Sequence, residues 1–389
     1  MGVMAKKKKR CRRYVKTIII CPRKKKLKKK RCVIVENPTI NVDPTPVNVI
    51  SPDEACFQNL RAKLQQLEGH FISVTIAGFF DSIQGRIFRV DEGNLILVGV
   101  FGTRIIPICK ISSIDFGPFA YVTKSDETVS VINTATNTVI GLIPVGDSPG
   151  GIAITPDGTR AYAANNFDNT VSVINTASNI LIATINLAPD GLSPQGIAIT
   201  PDGTRAYVAN EFNNTVSVIN TASNIVIATI NLAPDGDGPE AIAITPDGSR
   251  AYTANVDNDT VSVIDITVTP NIVIDTITLA PDGDGPVAIA ITPDGSRAYT
   301  ANATNNTVSV IDITVTPNIV IDTITLAPDG LNPQGIAITP DGSRAYILNS
   351  GNISVSVINT ATNTVIGSPI SVGESPHVPV GIAITPITI

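Results

Sequence analysis

Histidine and aromatic residues are scarce in this 389-residue sequence. Aromatic residues make up 4% of it, Trp is absent, and there are two His, His70 and His377. Two isolated His supply neither the usual zinc ligand sets nor a Ser–His–Asp triad. With no catalytic constellation in the sequence, we predict a protein that is not an enzyme, holds no metal in a His-based site and needs no cofactor.

Long apolar runs are also missing. Apolar runs such as residues 17–20 fall far short of the ~20 apolar residues that a membrane-spanning helix needs. The basic start is followed by neither the apolar core nor the small-residue cleavage site of a secretory signal. We therefore expect no membrane span and no export signal, and synthesis in a bacterial cytoplasm.

Acidic residues are absent from residues 1–32, which hold 16 of the 28 Lys and Arg. The rest of the chain carries 12 basic residues against 33 acidic ones. Blocks of like charge repel and resist packing, so residues 1–50 are predicted to form a disordered basic tail with a Pro-rich linker. Its partner would be nucleic acid, an anionic surface or the acidic body of a neighbouring molecule.

Cysteine is rare, but three of the five Cys lie in this tail, at Cys11, Cys21 and Cys32. Their spacing is too wide for a Cys-x-x-Cys metal site. Neighbouring cations lower the pKa of a thiol and favour disulfide exchange. Two interpretations stay open: the thiols are reduced and idle, or they form intermolecular disulfides.

Residues 51–116 are predicted to form a small domain. Ser51-Pro52-Asp53-Glu54 has the pattern of a helix capping box, and Gly69 suits the end of that helix. Apolar, β-branched runs at 71–76, 82–90, 94–100 and 104–114 predict strands.

A short helix followed by a bent antiparallel meander resembles the Sm-like barrel. Such small domains also occur in coat proteins of spore-forming bacteria. Bacterial RNA-binding members carry a Lys-His pair in the last strand region, whereas Lys110 is followed here by Ile111. The resemblance therefore implies the barrel without the usual RNA contact.

The remainder of the chain is an internal repeat. A Thr-Pro pair recurs in steps of 45 to 47 residues, with the Thr at Thr155, Thr200, Thr245, Thr292, Thr339 and Thr385. This period matches a four-stranded propeller blade of about 40–45 residues. The cycle containing Thr200 predicts strands at 196–200, 205–209, 215–219 and 224–230.

These cycles predict an all-β fold, a six-bladed propeller over residues 117–389. The array begins at Ala120-Tyr121-Val122 with a second strand, and it ends at Gly381–Thr385 with a first strand. We expect the C-terminal strand to complete the first blade and to close the ring, which removes exposed strand edges.

One Tyr recurs in each blade and one Arg in five of them: Tyr121, Tyr162, Tyr207, Tyr252, Tyr299 and Tyr346, with Arg160, Arg205, Arg250, Arg297 and Arg344. The segments Ala206–Asn210 and Ala120–Lys124 resemble the YVTN propeller family. That resemblance implies surface-layer or periplasmic relatives. We expect each Arg to pair with an Asp, although a shared anion site is an alternative.

Acidic loops provide the one hint of a ligand. Asp235, Asp237, Asp282 and Asp284 lie on tight loops and are weak candidates for Ca²⁺ ligands, although Asp and Gly are also ordinary turn residues. Residues 264–302 and 311–349 are almost copies, which favours selection for the shape of the ring.

Three hypotheses follow. The first is a non-catalytic structural or interaction protein of a bacterial spore coat or cell envelope, assembled or cross-linked through its tail. The second is a nucleic-acid-associated protein that binds through its tail and Sm-like domain. The third is a propeller that binds Ca²⁺ or another small ligand.

Overall fold

All the described elements of the computed structural model are β-strands. The structure describes residues 119–372 except 135, 136 and 280, together with the backbone of residues 71–76, 82–90, 94–99, 102–107 and 111–115. The predicted helix, the tail cysteines, both His and the strand Gly381–Thr385 lie outside the described residues. Closure by the C-terminal strand therefore stays a prediction.

The N-terminal strands form one antiparallel sheet in the order β4-β3-β2-β1-β5. They are β1 (Phe71–Ile76), β2 (Ser82–Val90), β3 (Asn94–Gly99), β4 (Gly102–Pro107) and β5 (Ile111–Asp115). The run predicted as one strand over 104–114 is two strands. The first pairs with β3 and ends at Pro107, and the second pairs with β1.

Six further antiparallel sheets follow as blades 1 to 6. Blade 1 has β6 (Phe119–Lys124), β7 (Thr128–Asn133) and β8 (Thr138–Pro144). Blade 2 has β9 (Pro149–Ile154), β10 (Arg160–Asn165), β11 (Thr170–Asn175) and β12 (Ile180–Asn186). Blade 3 has β13 (Pro194–Ile199), β14 (Arg205–Asn210), β15 (Thr215–Asn220) and β16 (Ile225–Asn231).

The other blades repeat this pattern. Blade 4 has β17 (Pro239–Ile244), β18 (Arg250–Asn255), β19 (Thr260–Asp265) and β20 (Ile272–Thr278). Blade 5 has β21 (Pro286–Ile291), β22 (Arg297–Asn302), β23 (Thr307–Asp312) and β24 (Ile319–Thr325). Blade 6 has β25 (Pro333–Ile338), β26 (Arg344–Asn349), β27 (Ser354–Asn359), β28 (Thr364–Val365) and β29 (Ile370–Ser371).

This architecture is the predicted all-β, six-bladed propeller. The four strands predicted around Thr200 agree with β13 to β16 to within two residues at each end. Contacts within the chain define two compact units. One is residues 1–122, 130–143 and 177–180, and the other is residues 123–129, 144–176 and 181–389. The domain boundaries proposed from the sequence, 1–50, 51–116 and 117–389, stay a prediction.

Apolar side chains fill the space between successive blades. Tyr207, Val216 and Val218 of blade 3 cluster with Ile242 and Ala251 of blade 4. All five are buried. The third strand of a blade is covered on both faces. The side chains of its Thr-Val-Ser-Val-Ile segment in blade 3 are therefore all buried, with no alternation between buried and exposed positions. The core is a series of inter-blade layers rather than one central cluster.

The turn between first and second strands is held by hydrogen bonds to the Asp of its motif. The Thr200 hydroxyl donates to Asp202, 2.6 Å away, and the Thr204 amide donates to the same carboxylate at 2.9 Å. Gly203 supplies the positive φ of 73°. These donors lower the pKa of Asp202. The pKa of the equivalent Asp in each of the other turns is lowered in the same way. The turns therefore keep their full hydrogen bonding at neutral pH and lose it in acid.

The recurring Tyr joins each blade to the next. Its hydroxyl donates to the side-chain oxygen (Oδ1) of an Asn, which lies in the turn between the third and fourth strands of the following blade. The five links are Tyr121–Asn179, Tyr162–Asn224, Tyr207–Asn271, Tyr252–Asn318 and Tyr299–Asn363, at 2.5 to 3.2 Å. Burial raises the pKa of each of these five Tyr, so each hydroxyl stays a donor far above neutral pH.

A buried Asn closes the end of each second strand in blades 2 to 6. Asn210 donates to Thr215 and Ser217, but its Oδ1 has no partner among the described residues. Asn255 makes the same donations, and its Oδ1 accepts from Thr253, 2.9 Å away. The difference arises because Val208 stands in blade 3 where Thr253 stands in blade 4.

Removing the link between blades 3 and 4 should destabilise the propeller. We predict that Tyr207→Phe lowers the free energy of unfolding by about 1 kcal/mol, because it removes the hydrogen bond and leaves the side-chain oxygen of the partly buried Asn271 without this donor. The measurement is a double-mutant cycle with Asn271→Ala in urea. Strictly additive effects of the two substitutions would contradict the link.

Supplying the missing donor to Asn210 should stabilise the chain. We predict that Val208→Thr raises the free energy of unfolding by about 1 kcal/mol, because its hydroxyl satisfies a buried oxygen. The matched reverse change, Thr253→Val, should cost about 1–3 kcal/mol by leaving Asn255 Oδ1 unpaired. Urea unfolding of both variants is the measurement, and equal signs would disprove the pairing.

Candidate functional site

The strand directions place two sets of loops at one end of blades 2 to 6. The first strands begin there, the second strands end there, and Pro194 of β13 lies opposite Asn210 of β14. We call this the mouth end: the loops between second and third strands, the loops that lead into each first strand, and the first residues of the first strands. The Thr-Pro-Asp-Gly turns lie at the opposite end.

Basic residues of blades 2 to 6 are confined to one end, whereas acidic residues lie at both ends. Within residues 144–372, which the structure describes apart from residue 280, all five Arg begin a second strand and so lie away from the mouth end. Twelve acidic residues lie at the mouth end: Asp147, Asp168, Asp190, Glu211, Asp235, Asp237, Glu240, Asp257, Asp259, Asp282, Asp284 and Asp329. This end therefore attracts cations.

One position of the first strand differs from blade to blade, although the blades are otherwise alike. Its second residue is Gly150, Gln195, Glu240, Val287 or Gln334 in blades 2 to 6. Neighbouring first strands approach closely here, because a Cβ on Gly196 would lie 2.8 Å from the backbone of Glu240. Side chains at this position are thus brought together on adjacent blades.

Polar side chains connect blades 2 and 3 at the mouth end. Asn166 donates to the Ser193 hydroxyl at 2.9 Å, and Ser193 donates to the Glu211 carboxylate at 3.1 Å. Gln195 donates to the same carboxylate oxygen, 2.6 Å away. The network fixes the orientation of Glu211 and presents its charge beside the first strands.

Glu240 of blade 4 is the most perturbed carboxyl group of this end. Burial raises its pKa to about 7, and the charges of Glu211 and Asp257 raise it further in the same direction. A carboxyl group in this state is a proton acceptor near neutral pH and gains from any cation that binds beside it. Glu211, Glu240 and the side chains around them form our candidate site.

The Ca²⁺ candidates are distributed over two successive loops. Asp235 and Asp237 precede blade 4, and Asp282 and Asp284 precede blade 5. In the described part of the chain, no three Asp, Glu, His or Cys side chains group as metal ligands. Asp284 instead faces Asp259, and the hydrogen bond and charge between the two carboxyl groups raise its pKa. The four residues are not brought into one site.

The recurring Arg residues do not pair with Asp as expected. Among the described residues, the ion pair within 4 Å is Lys124–Asp126. Arg160 donates to the Thr221 carbonyl of the next blade, and Arg297 donates to the Thr360 carbonyl, 2.7 Å away. The carbonyl oxygens of a tight turn point at the guanidinium and outcompete an exposed carboxylate.

A groove of about 490 Å³ opens at the opposite end, where blade 4 has a longer turn. Arg205, Tyr207, Asp202, Asp247 and Ile266 are among its lining residues. The cycle from Thr245 is 47 residues long rather than 45, and Ile266 stands where the other turn has Thr221. The groove carries two carboxylates beside one guanidinium.

Two phenylalanines project from the mouth end. Phe167 is 72% exposed and Phe212 77% exposed, more than any other large apolar side chain among the described residues. They occupy the same loop position in blades 2 and 3, where blades 4 and 5 have Asp257 and Thr304. Neither ring is needed for packing, so their exposure is unexplained by the fold.

Glu211, Glu240 and the two Phe belong to no repeated motif and were not predicted as site residues. Near-identity of the blades had favoured selection for the shape of the ring over a unique site. The available signal was the opposite one, namely the few positions at which otherwise copied blades differ. The importance of such positions becomes clear only when the strand directions place them together at the mouth end of the blades.

Comparison with known proteins supports the fold. A family model described as "Lactonase, 7-bladed beta-propeller" matches residues 181–267 and 220–381, so the chain belongs to this propeller family. No curated protein matches the sequence. The resemblances to the YVTN and Sm-like families therefore stay predictions from the sequence.

Solved structures share the architecture at low identity. Hydrazine synthase of Kuenenia stuttgartiensis has a TM-score of 0.61 and 23% identity over 69% of this chain and 86% of that one. A protein of unknown function from Desulfotomaculum acetoxidans has a TM-score of 0.53 and 17% identity, over 77% of this chain and 95% of its own. At these identities the similarity shows the fold alone. In the part of the chain that is described, no helix is long and apolar enough to cross a membrane.

Replacing Glu240 should change the pH dependence of stability. Its raised pKa means that the folded state binds the proton more tightly, so stability falls as pH rises from about 4.5 to about 7. We predict that Glu240→Gln raises the free energy of unfolding by about 1–3 kcal/mol above pH 7 and changes it little below pH 4.5.

The measurement is urea unfolding across this pH range. Asp329→Asn removes the same charge from an exposed loop of the same end and is the matched control. A gain for Glu240→Gln that is constant over the whole range would contradict the assignment.

Proposed function

We propose that this protein is a non-catalytic propeller scaffold whose acidic mouth end binds a basic protein partner. The observation that carries the proposal is the uncompensated charge of the mouth end: twelve acidic residues and no basic residue of blades 2 to 6 lie there, and every Arg of those blades lies elsewhere. A surface of one sign raises the local concentration of oppositely charged partners and their rate of association.

The residues shared by blades 2 to 6 support a scaffold rather than a reaction site. The Tyr, the turn Thr and Asp, and the buried Asn make hydrogen bonds that hold turns or neighbouring blades. At the mouth end, the loops and the second residue of each first strand vary from blade to blade. Variation on a constant frame is typical of binding surfaces.

We further propose a place in a bacterial spore coat or cell envelope. The support is the YVTN-like repeat together with the small N-terminal sheet. That sheet is five-stranded and antiparallel, and its first and last strands pair; the antiparallel meander of β1 to β4 is the feature on which the proposed Sm-like resemblance rests. In this proposal the N-terminal region serves assembly, and Cys11, Cys21 and Cys32 form cross-links between molecules.

The test is calorimetric titration of the full chain with an oligolysine peptide at two salt concentrations. We predict binding that weakens at least about tenfold between about 50 mM and about 200 mM salt, as expected for charge-driven association. Asp235→Asn with Asp237→Asn should weaken binding several-fold.

Asp265→Asn with Asp312→Asn is the control. It removes equal charge from the opposite end, and Asn stands naturally at the corresponding positions Asn220 and Asn359. Equal loss in both double variants, or no binding of oligolysine, would refute the proposal. Tight binding of an oligonucleotide instead would favour the nucleic-acid alternative.

Lactone hydrolysis is a second candidate, favoured by the family to which the chain belongs and by the pKa of Glu240, about 7. A carboxylate with this pKa suits a general base at neutral pH. Assay of a set of simple lactones with the intact chain and with Glu240→Gln decides between the two. Hydrolysis that Glu240→Gln abolishes would establish the enzyme and overturn the non-catalytic scaffold.

A further inference from the structure

The two exposed Phe and the acidic residues at the mouth end form one surface. Phe212 directly follows Glu211. The loop between the second and third strands of blade 2 carries both Phe167 and Asp168. The first strands of these two blades, β9 and β13, are in contact. We call the loops 166–169 and 211–214 with the neighbouring mouth-end carboxylates the docking face.

The docking face has the composition of a site for a peptide that is both basic and apolar. Aromatic side chains are enriched in protein interfaces and often anchor them, and rim charges of one sign select partners of the other sign. Phenyl faces also attract ammonium and guanidinium groups. A purely electrostatic surface for counter-ions would not need the two rings.

The chain itself contains a segment with the matching chemistry. Residues 1–32 carry 16 Lys and Arg and no acidic residue, and residues 17–20 in their centre are Thr-Ile-Ile-Ile. The rest of the chain is acidic, so two copies repel each other unless an element of opposite charge joins them. Residues 1–32 are such an element.

We propose that the docking face binds residues 1–32 of a second copy of this chain, with Phe167 and Phe212 against the isoleucines and the carboxylates around the Lys and Arg. The inference rests on the proposed function and names its partner. The contact joins two different surfaces, so each copy offers one of each and copies add head to tail.

The test is sedimentation of the full chain under reducing conditions, which removes any disulfide contribution. We expect concentration-dependent association at about 50 mM salt and at least about tenfold weaker association at about 300 mM. Phe167→Thr with Phe212→Thr should weaken association at least about fivefold, since Thr304 already occupies this position in blade 5.

Ile225→Thr with Ile227→Thr is the matched control, because both side chains are exposed on the outer strand of blade 3, away from the mouth end. It should leave association unchanged. A synthetic peptide of residues 1–32 with Ser in place of its three Cys should dissociate the assemblies. Equal weakening by both double variants would overturn the inference.

The outcomes separate this inference from the proposed function. A chain that stays monomeric at low salt but binds oligolysine through Asp235 and Asp237 would overturn the inference and leave the scaffold proposal standing. A chain that does neither would refute both. Association that persists with the Phe double variant but is lost with Asp235→Asn and Asp237→Asn would show a site elsewhere at the mouth end.

Discussion

The hydrogen bond between a Tyr hydroxyl and an Asn of the next blade is the constraint on which the propeller depends. It joins residues 58 to 66 positions apart and lies at the edge of the apolar layer between two blades. Each layer fixes the distance between sheets, and each Tyr–Asn bond fixes their rotation. A blade alone has one half of two such junctions and cannot bury its faces.

Much of this fold can be predicted from the sequence because the same strand and turn motifs recur in each cycle. The period, the Thr-Pro-Asp-Gly turns and the alternation around Ser217 predict strands to within two residues. The two partners of the Tyr–Asn bond recur equally often, but they belong to different cycles. Their pairing depends on the twist between blades, which periodicity does not encode.

The candidate site was less accessible for a related reason. Glu240, Gln195 and Val287 occupy one repeat position, and their difference becomes meaningful only when the strands place them at the same end. Burial raises the pKa of Glu240, and the charges of Glu211 and Asp257, which belong to other loops, raise it further. The expected Arg–Asp pairs failed similarly, because the carbonyl that accepts from Arg160 belongs to the neighbouring blade.

The form of the junction also bears on how the number of blades changes in evolution. Every cycle of the array carries its Tyr and, a little further along, the Asn that serves the preceding cycle. Duplication of one cycle therefore inserts a blade that is compatible on both sides, whatever its position. A lineage can gain or lose a unit in a single recombination event, and six cycles in a family described as seven-bladed are consistent with such a history.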